Sequence, residues 1–269
     1  MKSLASILPI ANKLDTVTIT DNPIASLRAS SIAYGYITKD VLGIDVIPNV
    51  TCRDRNLLSL QSDILGGTLL GHKNFYVVTG DAPRDKENFK GVWEVNSIEL
   101  CKILKNYKNG KATTRGKEIE LTDKIDIKIG GAIIFGRSSE LNTYYKKIDA
   151  GFDYFITQIT YDSEQVVKFY SDAENNGNPI KKHVQIGISP ADTLKKFHNI
   201  SKMSGIKIPD RVIHRLENST DFRFDLLSIL LELTDDLKAD LKGYSIGFHV
   251  MPIGSDTLGS ILVEDLSCR

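Results

Sequence analysis

Asp45–Leu70, DVIPNVTCRDRNLLSLQSDILGGTLL, changes its periodicity partway along. Asp45–Thr51 is apolar without strict alternation, as expected of a parallel strand covered on both faces. Asn56–Leu70 then sets Leu57, Leu60, Ile64 and Leu65 on one helical face. The polar TCRDRN lies at the junction. This is a βα unit, and similar strand runs recur on both sides of it: Thr16–Thr20, Asn74–Thr79, Ile125–Phe135, Tyr154–Thr160, His183–Ile188 and Tyr244–Val250. Helical patterns at Ser97–Tyr107, Ser163–Ala173 and Phe224–Leu241 fall between them.

Repeated βα units indicate a barrel or a doubly wound sheet. A dinucleotide-binding sheet would carry GxGxxG after its first strand, and none is present. Gly66-Gly67 and Gly130-Gly131 fall inside a helix and a strand pattern, where they read as close-packing positions. The expectation is an α/β (βα)8 TIM-type barrel. The runs supply seven strands, and a helix pattern precedes the first, so the missing element is the barrel's first strand. Lys105–Lys124 reads as a loop with a short hairpin and Asp172–Lys182 as a loop. With no composition shift or long linker, residues 1–269 read as a single domain.

Composition excludes several function classes. Thirty-four basic and thirty-four acidic residues cancel, unlike a protein built to coat nucleic acid. Cys52, Cys101 and Cys268 form no CxxC pair, and the five histidines show no metal-ligand spacing, so no metal site is expected. No apolar run reaches the ~18 residues of a membrane helix. The start reads as an amphipathic helix rather than a signal peptide, which gives the expectation of a cytoplasmic protein without a membrane partner.

In a parallel barrel, chemistry sits at the C-terminal ends of the strands. Here those ends read TITDNP, NVTCRDRN, VTGDAP, IIFGRSS, ITQITYD and IGISP. Asp21, Asp54 and Asp162 read as N-caps or turns as readily as ligand-facing acids. Gly80-Asp81 before Pro83 is a tight turn able to aim a carboxylate into the mouth. Gln158 interrupts an apolar strand, so it either faces a ligand or makes a structural hydrogen bond. Trp93 fits surface packing or a loop over the site.

Read together, TVTITDNPIASLR (Thr16–Arg28), IPNVTCRDRNLLSLQSDILGGTLLG (Ile47–Gly71), NFYVVTGDAP (Asn74–Pro83), GVWEVNS (Gly91–Ser97) and KKIDAGFDYFITQITYD (Lys146–Asp162) resemble methylenetetrahydrofolate reductases. The likeness is to the reductase half of bifunctional proteins that also carry a homocysteine methyltransferase domain. It runs from about Leu14 to about Asp210. The resemblance implies a barrel with FAD at its strand ends that reduces methylenetetrahydrofolate, with NADH or NADPH as hydride donor. It also implies a folate-type substrate and a homo-oligomer, or association with a homocysteine methyltransferase domain or another one-carbon enzyme.

Carried over by position, Asp81 is the acid beside the flavin and the pterin. Gln158 and Phe197 face the substrate. Thr20, Asn49, Thr79, Gly80, Asp81, Glu140 and Lys147 contact FAD, with Lys147 near the phosphates and Glu140 near the adenosine. Asn49 stands where many relatives have His. The family's opening strand, whose Glu serves as general acid, has no counterpart. That leaves Asp21 as the topologically nearest acid. It also leaves two alternatives: a non-catalytic flavin- or folate-binding remnant, and a reductase of a related pterin carrier.

Overall fold

The computed structural model describes residues 2–83 and 90–269. Its strands are β1 Thr16–Ile19, β2 Asp45–Thr51, β3 Asn74–Val78, β4 Lys111–Thr114, β5 Lys117–Glu120, β6 Lys128–Ile133, β7 Tyr154–Ile159, β8 His183–Ile188 and β9 Ile246–Val250. Its helices are α1 Lys2–Ile7, α2 Ser31–Leu42, α3 Leu57–Leu69, α4 Ser97–Lys108, α5 Glu140–Ala150, α6 Ser163–Asn175, α7 Leu194–Ser201, α8 Asp210–Glu217, α9 Phe222–Asp240 and α10 Asp256–Ser267. Seven strands form one sheet in the order β1-β2-β3-β6-β7-β8-β9, while β4 and β5 form a separate hairpin. Sequence order and spatial order agree, as in TIM-type α/β folds, with seven of the eight strands of a full barrel.

The sequence-predicted strands all form, β2 and β8 with unchanged bounds and the others with trimmed ends. Ile125–Phe135 shortens to β6 and Tyr244–Val250 to β9, and the hairpin falls inside Lys105–Lys124. The expected loop from Asp172 begins later, because α6 runs on to Asn175. The chain divides into two compact units: Leu14–Ala132 with Tyr145–Tyr154, and Met1–Lys13 with Ile133–Tyr144 and Phe155–Arg269.

In the first unit β1, β2, β3 and β6 pair in parallel, with Thr16 opposite Asp45, Asn49 opposite Tyr76 and Asn74 opposite Lys128. Val46, Val50, Phe75, Val77 and Ile129 are buried with Leu60 and Ile64 of α3 and Leu100 and Leu104 of α4. Each such side chain contributes about 1.5–3 kcal/mol on burial. Asn56 caps α3 by accepting from Ser59 N at 2.9 Å. Asn96 opens α4 with a capping box: its Oδ1 accepts from Glu99 N, and Glu99 Oε2 accepts from Asn96 N at 2.8 Å.

Three of the four paired glycines are close-packing positions. A Cβ on Gly130 would lie 2.4 Å from the Tyr154 ring, one on Gly131 2.6 Å from Phe152, and one on Gly67 2.9 Å from Phe75. Gly66 departs from the expectation, since a Cβ there meets nothing within 4 Å.

In the second unit β8 and β9 pair from Val184–Ile246 to Ile188–Val250. Phe135, Phe169, Tyr144 and Phe155 form an aromatic cluster. The N-terminal helix lies on α10, where Ser260 Oγ donates to Ser6 O at 3.3 Å. Cys52 and Cys101 are buried and Cys268 is exposed. Every residue of β1 and of β9 is half-exposed, whereas β2 and β7 are mostly buried. Each of these outer strands has a single neighbour in the sheet.

Two measurements test this packing. Gly130→Ala is expected to cost about 1–3 kcal/mol in chemical denaturation, because the new methyl must displace a buried ring. An unchanged denaturation midpoint would show that Tyr154 yields freely. The second concerns His249, whose Nδ1 is buried although its strand is half-exposed. Burial pushes its pKa down to about 4. A histidine depressed from about 6.5 in the unfolded chain contributes its stability in full above that pH. The contribution is lost as pH falls from 6.5 towards 4, because the unfolded chain takes up the proton first. The expected loss is up to about 3 kcal/mol, and His249→Asn is expected to flatten the decline between pH 7 and 4.5. Equal pH slopes for both proteins would refute it.

Candidate functional site

The tips of β1, β2 and β3 meet in a polar network within the first unit. TCRDRN supplies most of it. Asp21, just beyond β1, accepts from Thr51 N at 2.9 Å and pairs with Arg55. Arg55 also binds Asp63 at 2.9 Å. Asp21 is therefore a brace between β1 and β2, and its carboxylate is already committed to two donors. Its candidacy as a replacement general acid is not supported by this arrangement.

Arg53 grips Asp54 through two bonds, Nε to Oδ1 at 2.6 Å and Nη2 to Oδ2 at 2.9 Å. Asn22 Nδ2 donates to the same carboxylate at 3.2 Å. Burial is the largest single effect on Asp54 and disfavours its charge. The bonds from Arg53 and Asn22, with the Arg53 charge, outweigh it and hold the carboxyl below its ordinary value. Neither Asp21 nor Asp54 caps a helix; Asp162 does, accepting from Gln165 N at 3.4 Å.

Beside this network an open cleft of about 440 Å³ is lined by Thr79, Gly80, Trp93, Val95, Asn96 and Glu99. Its size falls in the range of small-molecule sites. Gly80 is required by its backbone: φ is +89°, and a Cβ would lie 2.2 Å from Thr51 Oγ1. Thr79 ties the tip of β3 to the start of α4, its Oγ1 accepting from Ser97 N at 3.2 Å. The chain returns over the tips at Val92, whose N–H donates to Arg53 O at 2.7 Å. Trp93 follows with φ of 41° and its ring against Gly91. A bulky residue held in the left-handed region is an unusual conformation of the kind that collects at binding sites.

The structure brings Thr79, Gly80 and Asp81 together at the β3 tip, with Asn49 on the adjoining strand β2 and Thr20 just past β1. Asn49 Oδ1 is buried with no hydrogen-bond partner among the described residues. Lys147 is buried in α5 and donates to Ala132 O near the end of β6. Arg84–Phe89, just after Asp81, lies outside the described residues.

The remaining candidates belong to the second unit. Gln158 is the single residue of β7 that is not buried. Its Nε2 donates to Ser204 O at 3.0 Å and its Oε1 accepts from Ile159 N at 3.0 Å. Of the two readings of Gln158, the structural hydrogen bond is present, on a side chain that still reaches solvent. Glu140, at the start of α5, is buried. Phe197, expected to face the substrate, is 0% exposed, with the Tyr161 and Phe222 rings at 5.2 and 6.3 Å.

A planar cofactor with polar substituents fits the first unit's rim. The cleft is lined by the aromatic ring of Trp93 and the side-chain-free Gly80, and on β2 of the same unit Asn49 holds a buried amide oxygen in need of a donor. Sequence reasoning left Arg53, Asn96 and Glu99 without roles. Two arginines flanking one acid between a strand end and a helix start were the available signal for the first. Glu99 gave only a capping pattern.

Comparison with known proteins agrees with this geometry. The model of the methylenetetrahydrofolate reductase family matches residues 8–258, well past the point near Asp210 where the likeness of motifs fades. Methylenetetrahydrofolate reductase 2 of Saccharomyces cerevisiae is 26% identical over 241 residues, covering 85% of this chain and 38% of the yeast protein. A probable methylenetetrahydrofolate reductase (NADH) of Oryza sativa is 33% identical over 188 residues, covering 68% of this chain and 31% of the rice protein. The chain thus spans well under half the length of these curated relatives.

Among solved structures, an uncharacterized Clostridium thermocellum protein that binds two copies of 5-methyl-5,6,7,8-tetrahydrofolic acid superposes with a TM-score of 0.68 at 18% identity, covering 99% of this chain and 88% of the other. EDTA monooxygenase from Chelativorans sp. BNC1 superposes with a TM-score of 0.52 at 12% identity, covering 99% of this chain and 87% of the other. These two likenesses concern the fold. With the family match running through nearly the whole chain, over a parallel sheet whose strand tips carry the expected polar residues, the chain belongs to the methylenetetrahydrofolate reductase family.

Proposed function

We propose that this chain is a flavin-binding reductase domain that converts 5,10-methylenetetrahydrofolate to 5-methyltetrahydrofolate, with FAD as cofactor and NADH or NADPH as hydride donor. The observation that carries the proposal is the cleft beside Thr79 and Gly80 on a chain of this family. The methyltetrahydrofolate bound by the Clostridium thermocellum neighbour supports a folate-type ligand. Relatives named for NADH and for NADPH support a nicotinamide donor without choosing between them.

The flavin, when bound, supplies the site's capacity to take up and pass on a hydride. The chain's own residues do the rest. Thr79 and Gly80 form the floor, and Trp93 offers an aromatic face to a planar ring. Asn49 accepts a hydrogen bond from a polar group of the ligand, while Thr20 lies on the rim of β1. Lys147 places a positive charge at the end of β6, suited to a phosphate. Asp81 sets a carboxylate at the rim, where it opposes further negative charge on its neighbour and can accept a hydrogen bond from the pterin. Gln158, in the second unit, is carried over as a folate contact by the family resemblance, and its side chain still reaches solvent.

The purified chain is expected to be yellow or to take up added FAD, and to release FAD on denaturation, read from its absorbance spectrum. A colourless protein that also fails to bind added FAD would sink the proposal. Asp81→Asn is expected to retain FAD while slowing the folate half-reaction by roughly 10- to 100-fold, the worth of one charged hydrogen bond. The nicotinamide half-reaction should change less. Stopped-flow traces unchanged in both halves would reduce Asp81 to a turn residue.

A further inference from the structure

Arg53 carries the buried charge of the TCRDRN turn, and only 3% of its side chain is exposed. Its guanidinium does not stop at Asp54. Nη2 also donates to Asn22 O at 2.8 Å and Nη1 to Asp81 O at 3.2 Å. Its own carbonyl accepts from Val92 N at 2.7 Å, next to Trp93. Its Cβ occupies the space beneath Gly80, 2.9 Å from where a side chain there would begin. One buried residue therefore joins the main chain beyond β1, the main chain beyond β3 and the return loop at the cleft. The three acceptors of its side chain are a carboxylate and two carbonyls, on three separate loops. A guanidinium has five donors in a rigid plane and can serve all of them, whereas an ammonium is a point donor on a flexible stem.

We propose that Arg53 is the positioning residue of this site: it fixes Asp81 and the Trp93 loop at the rim of the cleft through their backbones, without contacting the ligand. The role rests on the reading of the cleft as the flavin site. If it holds, removing the fork lets the Asp81 carboxylate drift, and the bound flavin should sense the loss even where the fold survives.

The test compares the midpoint potential of the bound flavin, and the melting temperature, in the holoprotein and in Arg53→Lys, Asp81→Asn and the double variant. Asp81→Asn should raise the potential, because a negative charge beside the reduced flavin is gone. Arg53→Lys should raise it by a smaller step, and the double variant should match Asp81→Asn alone. Such non-additivity is the signature of one residue acting through another. A purely structural Arg53 would lower the melting temperature and leave the potential unmoved, or the two shifts would add; either result overturns the proposal. Should Arg53→Lys fail to fold, Asp54→Asn keeps the guanidinium and weakens its anchor. It should then give the intermediate potential, and an unmoved one again overturns the role. A wild-type chain that takes up no flavin overturns the reading of the cleft itself, and the positioning role with it.

Discussion

The first unit depends on the burial of β2. That strand has neighbours on both sides, β1 and β3, and nearly all of its length is withdrawn from water. Its backbone groups must be met by those neighbours, because water cannot reach them. Once β2 is fixed, the chain emerging from it is fixed too, and TCRDRN starts at the same rim as the turns after β1 and β3. The polar network and the cleft follow from where a buried strand has to end. A residue with a buried charge at that point survives only if fully paired, and Arg53 is: each of its bonds reaches a group that the parallel geometry has already brought near.

Much of this was readable in the residues. β2 and β8 begin and end where the apolar runs do, since strands covered on both faces leave no doubt about period. Gly130-Gly131 announced a crowded strand, and aromatic rings of Tyr154 and Phe152 supply the crowding. Helix starts were visible at Asn56 and Asp162, whose side chains compete for backbone donors in the way that marks a cap. The tips of β2 and β3 stood out as a candidate site because polar residues there recur on successive strands.

What was not legible depends on partners distant in sequence. The burial of Phe197 was not visible locally, because α7 turns it inward between Tyr161 and Phe222, far away in the chain on either side. Asp21 looked like an available acid until Arg55 and the Thr51 amide were placed against it. Arg53 looked like one charge among three in a short polar turn. Nothing local distinguishes it from Arg55, and only the fold shows that its carbonyl contacts span residues 22 to 81.

The form of those contacts has a consequence for how such a site can diversify. Arg53 reaches Asn22 and Asp81 at their carbonyl oxygens, which every amino acid carries. The side chain at position 81 can be exchanged while the brace that places it is untouched; Asn22 is less free, because its Nδ2 also donates to Asp54. The chemistry at the rim can therefore drift towards another ligand through single substitutions, each arriving on a scaffold that is already in register. Gly80 is the exception, since it has no room for a side chain. In this architecture the inherited part is the backbone path around one buried arginine, and the identities displayed along that path are open to selection.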